Sequence, residues 1–155
     1  MSKFTKNPDL NNVTTMELWD EAIKEGPIDM KIDKNSKYLI NKNVADYLNK
    51  LLKEKEMSKS DLINRLPMSS SYVYQLLDGR KKNPSRNRLL TIAFAMKLNI
   101  EQTDKLLKIA NLGALYPRDQ RDFVIIYCIN NSMSIEECTD ILEQQDFAPI
   151  VDDID

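Results

Sequence analysis

The sequence predicts an all-α fold: an amino-terminal arm with one short helix over residues 1–40, a five-helix body over 41–113, and an acidic extension of two more helices over 114–155. Three observations predict it. Apolar residues recur at the helical spacing i, i+3, i+4 and i+7 from Val44 onward. Ser, Thr and Asn, whose side chains accept hydrogen bonds from the free amides of a helix's first turn, stand ahead of most of these stretches. The three glycines and six prolines fall between the stretches rather than inside them.

In the arm, Thr14-Thr15-Met16-Glu17 has capping-box spacing, and "MELWDEAIKE" continues with Leu18, Ala22 and Ile23 on one face until Gly26-Pro27 stops the helix. Trp19 is expected to anchor this arm. Residues 28–40 alternate apolar and polar for five positions and then lose the pattern, which fits a brief strand or an irregular linker; we read a linker.

The body opens with a helix over about 43–55, its inner face formed by Val44, Tyr47, Leu48, Leu51 and Leu52. Ser58-Lys59-Ser60-Asp61 opens a second, short helix that faces inward with Leu62, Ile63 and Leu66. Pro67 ends it, because proline has no amide to donate and pushes the preceding Leu66 toward extended geometry. Ser69, Ser70 and Ser71 supply capping oxygens for a third helix through Val73, Leu76 and Leu77, and Gly79 stops it in a left-handed conformation. Asn83-Pro84 predicts the start of a fourth, with proline at the first helical position and Leu89, Ile92, Ala93 and Met96 as its stripe. A fifth follows Asn99-Ile100, buries Leu106, Leu107 and Ala110, and ends at Gly113.

In the extension, Pro117 starts an element whose β-branched run fits a buried strand or a helix. The proline and the early aspartates favour a helix buried on most sides. Ser134-Ile135-Glu136-Glu137 boxes the start of a last helix with Ile135, Cys138, Ile141 and Leu142 at helical spacing, and the acidic tail "VDDID" is expected to fray. Ile125, Ile126, Ile129, Ile141 and Leu142 are more apolar surface than a helix pair hides alone, so the extension is expected to pack back on the body or to form a dimer seam.

Charge is unevenly placed. Residues 1–40 carry six Lys/Arg against seven Asp/Glu, residues 41–100 twelve against five, and residues 101–155 four against twelve, so a net charge of −2 conceals a central segment at +7. That asymmetry points to a polyanion-binding face in the centre. The same composition argues against catalysis: with no histidine and no Gly-rich loop, the chain lacks a general base near neutral pH and a cradle for a nucleotide. Asp119 and Asp122 are better explained by the dipole at a helix start. Two cysteines without imidazoles cannot close a tetrahedral metal shell, and Cys128 reads as a small buried hydrophobe. No cofactor, metal or catalytic residue is expected. The longest apolar run, Phe123 to Ile129, has seven residues against the roughly twenty that cross a bilayer, and the amino terminus lacks a signal-peptide core, so a cytoplasmic protein is expected.

Two short helices joined by a tight turn, the second polar on its outer face, have the geometry of a helix-turn-helix. With "LLDGRKKNP" as the exit and "LLTIAFAMKL" as the next helix, the segment 41–111 resembles the helix-turn-helix domain of the Cro and lambda-repressor type, the XRE family. The resemblance implies a lambda-repressor-like fold and double-stranded DNA as partner, with 69–77 as the helix entering the major groove. Carried over position by position, it assigns base contacts to Ser70, Ser71, Tyr74 and Gln75, of which Gln75 can pair with an adenine edge. It assigns phosphate contacts to Lys59, Ser69, Tyr72, Arg80, Lys81, Lys82, Arg86 and Arg88. Tyr72 and Tyr74 are bulkier than the family usually carries here, and either reaches DNA or packs against the first body helix. Ile63 and Pro67 stand where the family often has Ala and Gly. A wider likeness over about 38–147, to a group of uncharacterised helix-turn-helix proteins of low-GC Gram-positive bacteria, implies that the extension belongs to one continuous fold.

The function implied is a sequence-specific regulator of transcription that binds double-stranded DNA and dimerises on its site. The competing expectation is a protein-interaction adaptor or antitoxin-like component that turns the same fold toward a protein partner.

Overall fold

Capping side chains set where the helices begin. The structure, a computed structural model, describes residues 14–35, with only the backbone of Asn35, and residues 43–151. The chain divides into two units, Met1–Ile40 and Asn41–Asp155.

In the first unit, α1 (Thr15–Ile23) starts where Thr14 Oγ1 accepts the Glu17 amide at 3.1 Å. The linker reading fails for α2 (Ile28–Asn35), which is a helix. Apolar residues at every second position imitate a strand, but Asp29 in the first turn and Lys34 in the last match the helix dipole. Lys31 adds a tie to α1, its ammonium donating to the Glu21 carbonyl at 2.8 Å and to the Lys24 carbonyl. The rest of the linker, residues 36–40, and the acidic tail 152–155 lie outside the described residues.

The second unit contains α3 (Val44–Glu54), α4 (Lys59–Arg65), α5 (Ser70–Leu77), α6 (Arg86–Ala95), α7 (Ile100–Ile109), α8 (Gln120–Asn130) and α9 (Ile135–Gln144). Capping boxes open α4, α7 and α9, through Ser58 with Asp61, Asn99 with Gln102 and Ser134 with Glu137. The fourth body helix starts two residues later than Asn83-Pro84 predicts, because Ser85 is the residue whose hydroxyl accepts the Arg88 amide, at 3.2 Å. Pro84 is instead buried ahead of the cap.

Helix ends repeat one device. After α3, α6, α7, α8 and α9 a non-glycine residue takes a left-handed φ: Glu56, Lys97, Asn111, Ser132 and Asp146, between 52° and 62°. The next residue, always apolar, donates its amide back five residues, as Met57 does to Leu52 and Leu98 to Ala93, both at 2.9 Å. Asn111 therefore ends α7, two residues before the Gly113 stop that composition predicts. After α5 a glycine takes the left-handed place instead, Gly79 at φ 86°, and the charged Arg80 donates its amide to Gln75 O at 2.9 Å. A Cβ there would approach the Ala45 side chain no closer than an ordinary 4.0 Å, so the requirement at Gly79 is conformational rather than steric.

One core runs through this unit. Leu48, Leu62, Val73, Leu89, Leu90, Leu106 and Leu107 are joined in it by Ile125, Cys128, Cys138, Leu142 and Ile150. The extension thus puts its inner faces into the core of the body. α8 is less enclosed than predicted: Ile125 and Cys128 are buried, but Phe123 and Tyr127 are 61% and 55% exposed. Cys128 and Cys138 are free thiols facing each other between α8 and α9, and burial pushes both up from the ordinary thiol value. Among the described residues no helix is long and apolar enough to cross a membrane.

Candidate nucleic-acid interface

α5 has two chemically distinct sides. Val73, Leu76 and Leu77 are buried, whereas Ser70, Ser71 and Tyr74 are exposed and Gln75 is half-buried at the edge. The turn before it follows from its residues: Leu66, ahead of Pro67, is extended at φ −104° and ψ 142°, and Leu66 and Met68 are buried while Pro67 stays outside. Ile63 is half-buried against the core, which takes up the larger side chain.

The two ends of α5 are held differently. Ser69 Oγ accepts the Tyr72 amide at 3.2 Å at its start. At its end the Asn49 amide group donates to Ala45 O within α3 at 2.9 Å and to Leu77 O at 2.8 Å, which ties the last turn of α5 to α3. Sequence reasoning missed Asn49. An amide residue at an interior helix position next to Leu48 was the available signal. On the outer face Gln75 Nε2 donates to Ser71 Oγ one turn back at 3.3 Å, which leaves its second N–H and its carbonyl oxygen to pair with a base edge.

Six of the residues assigned from sequence meet around one cleft of about 280 Å³: Ser69, Ser71, Tyr72, Gln75, Lys81 and Arg88, with Met68 also lining it. The half-buried Tyr72 ring lies under the Arg88 guanidinium, whose central carbon is 4.3 Å from the ring centre, and the Lys81 ammonium stands 5.8 Å from the same ring. The exit loop curls over the end of α5, since the amides of Arg80 and Lys81 both donate to the Gln75 carbonyl, at 2.9 and 3.0 Å. Lys59 and Lys82 are exposed outside the cleft.

Two arginines differ from their assignment. Arg80 folds onto Asp78, with Nη2 and Nε at 2.7 and 2.8 Å from Oδ2. The hydrogen bond from Arg80 holds the Asp78 carboxyl below the usual carboxylate range, Lys59 adds to the effect, and Asp78 in turn raises Arg80. Much of the Arg80 charge is therefore answered within the protein. Arg86 points away from α5. Its guanidinium donates to the carbonyls of Leu112 at 2.8 Å, Gly113 at 3.0 Å and Ala114 at 3.4 Å, and to Asp122 Oδ2 at 3.0 Å. Those contacts engage both of its terminal nitrogens and tie α6 to the extension instead of presenting them beside α5. Arg121 makes a parallel tie, donating to Asn87 Oδ1 at 3.2 Å and to Ala148 O at 2.9 Å.

The exposed face of α5 and the cations around it make a hydrogen-bonding and positively charged surface, which suits a polyanion. No curated protein and no solved structure matches the chain. Residues 47–102, from within α3 to the first turn of α7 and including α4 and α5, match the family model of the Cro/C1-type HTH DNA-binding domain.

Proposed function

We propose that the protein is a sequence-specific regulator of transcription that binds double-stranded DNA with α5 in the major groove. The observation that carries this reading is the sidedness of α5: its apolar residues are closed into the core, and its serines, Tyr74 and Gln75 face outward beside Lys81 and Arg88. Gln75, oriented by Ser71, pairs with an adenine edge, Ser70 and Ser71 accept or donate to neighbouring bases, and Tyr74 meets a thymine methyl. Lys59, Ser69, Lys81, Lys82 and Arg88 hold phosphates and set affinity rather than sequence. One α5 covers one half-site, so two copies occupy a full site. A protein of this function works in the cytoplasm, beside the chromosome.

Selection of bound sequences from a random duplex library at low salt tests the proposal and returns the site. Recovery of a shared, two-fold-related sequence is the expected result. Failure of the purified chain to retain any duplex at low salt would overturn it, and a stoichiometric protein partner recovered together with that failure would favour an adaptor role.

A further inference from the structure

Tyr72 and Arg88 occupy equivalent places in two helices. Each is the third residue of its helix, and each gives its amide to the capping serine, Tyr72 to Ser69 and Arg88 to Ser85, both at 3.2 Å. The two side chains meet between the helices, with the Arg88 guanidinium 4.3 Å from the centre of the Tyr72 ring. Lys81 reaches the same ring from the exit loop, at 5.8 Å. Long cationic side chains ordinarily lose rotamer freedom when they meet a phosphate. An aromatic face attracts both cations through its quadrupole and can hold them in place before DNA arrives.

We infer that Tyr72 is a positioning residue: its ring holds Arg88 and Lys81 at the start of α5, where they meet the DNA backbone, and its hydroxyl is not needed for binding. The inference rests on the DNA-binding reading and gives Tyr72 a role other than direct phosphate contact. Phenylalanine keeps the aromatic face, whereas leucine removes it and retains apolar bulk in the half-buried site.

The full-length chain is titrated with a duplex of random sequence across a salt series. Tyr72→Phe is expected to bind within about twofold of the unsubstituted protein, and Tyr72→Leu about 5- to 10-fold more weakly at low salt, with a log–log salt slope shallower by about one phosphate contact. In the free protein, the Arg88 side-chain Nε–H resonance is expected to be shifted by the ring in the unsubstituted chain and in Tyr72→Phe, and to lose that shift in Tyr72→Leu. Equal loss of affinity in the two variants would overturn the inference by making the hydroxyl a contact. Unchanged affinity and salt slope in Tyr72→Leu, or an Arg88 resonance indifferent to that substitution, would overturn it as well. Failure of the unsubstituted protein to bind any duplex would instead end the DNA reading, and the Arg88 resonance would still report whether the stack exists.

Discussion

Arg86, the first residue of α6, and Asp122, in the first turn of α8, are joined at 3.0 Å across 36 residues of sequence, with 27% and 11% of their side-chain surface exposed. The same Asp122 oxygen accepts the Tyr116 amide at 3.0 Å. One carboxylate therefore fastens both the loop before α8 and the start of α6, the helix that carries Arg88.

Removing the carboxylate leaves a guanidinium with reduced solvent access facing carbonyls alone. Asp122→Ala is expected to lower stability by about 2–3 kcal/mol, measured by urea unfolding. Arg86→Ala should behave similarly. Neither variant should make the salt slope of DNA binding shallower when measured well below its unfolding midpoint, because Arg86 does not face the cleft. A slope reduced by one contact in Arg86→Ala would restore its role at a phosphate.

Gln75 and Lys81 are expected to separate sequence reading from affinity. Gln75→Ala should reduce discrimination at one base position by about 1–3 kcal/mol and leave other positions unchanged. Lys81→Ala should weaken binding to all duplexes alike and make the salt slope shallower by about one. Competition between the selected site and its single-base variants, repeated at several salt concentrations, measures both effects.

How much of this was legible in sequence depended on how local the chemistry is. Helix starts were readable because a capping residue and its partner lie three positions apart, as Ser58 and Asp61 or Ser134 and Glu137 do. Ser85 was passed over because Asn83-Pro84 offers a competing cap and proline two residues earlier. α2 is hidden in the sequence because Ile28, Met30 and Ile32 alternate like a strand while Lys31 is held by the carbonyls of Glu21 in α1 and of Lys24 just after it. Within the interface, the outward face of α5 follows from its period. The direction taken by Arg86 does not, since its partners lie at 112–114 and 122 and are brought near only by the folding of the extension.

The pH dependence of stability should carry the mark of Asp61. Hydrogen bonds from the Ser58 amide and hydroxyl region hold its carboxyl below the usual value, with Arg65 contributing. A folded-state value below the unfolded one, near 3.9 for an aspartate, means that the contribution is complete above about pH 4 and lost as pH falls through the folded value. Asp61→Ala should therefore have a lower thermal midpoint than the unsubstituted protein at pH 7, and the gap should narrow below about pH 4. A gap that stays constant down to pH 2 would remove this group from the acid limb.

The left-handed residues that close five helices leave this fold short of the thermostability its topology allows. An L-residue in that conformation costs roughly 1–2 kcal/mol that glycine avoids, part of which is offset by the greater freedom of glycine in the unfolded chain. Lys97→Gly, at φ 55°, is expected to raise the thermal midpoint by a few degrees, as read by calorimetry. Glu56, Asn111, Ser132 and Asp146 offer the same opportunity, and none of the five lines the cleft beside α5. The protein can thus be hardened at its helix ends, one residue at a time, while the surface proposed for DNA keeps its composition.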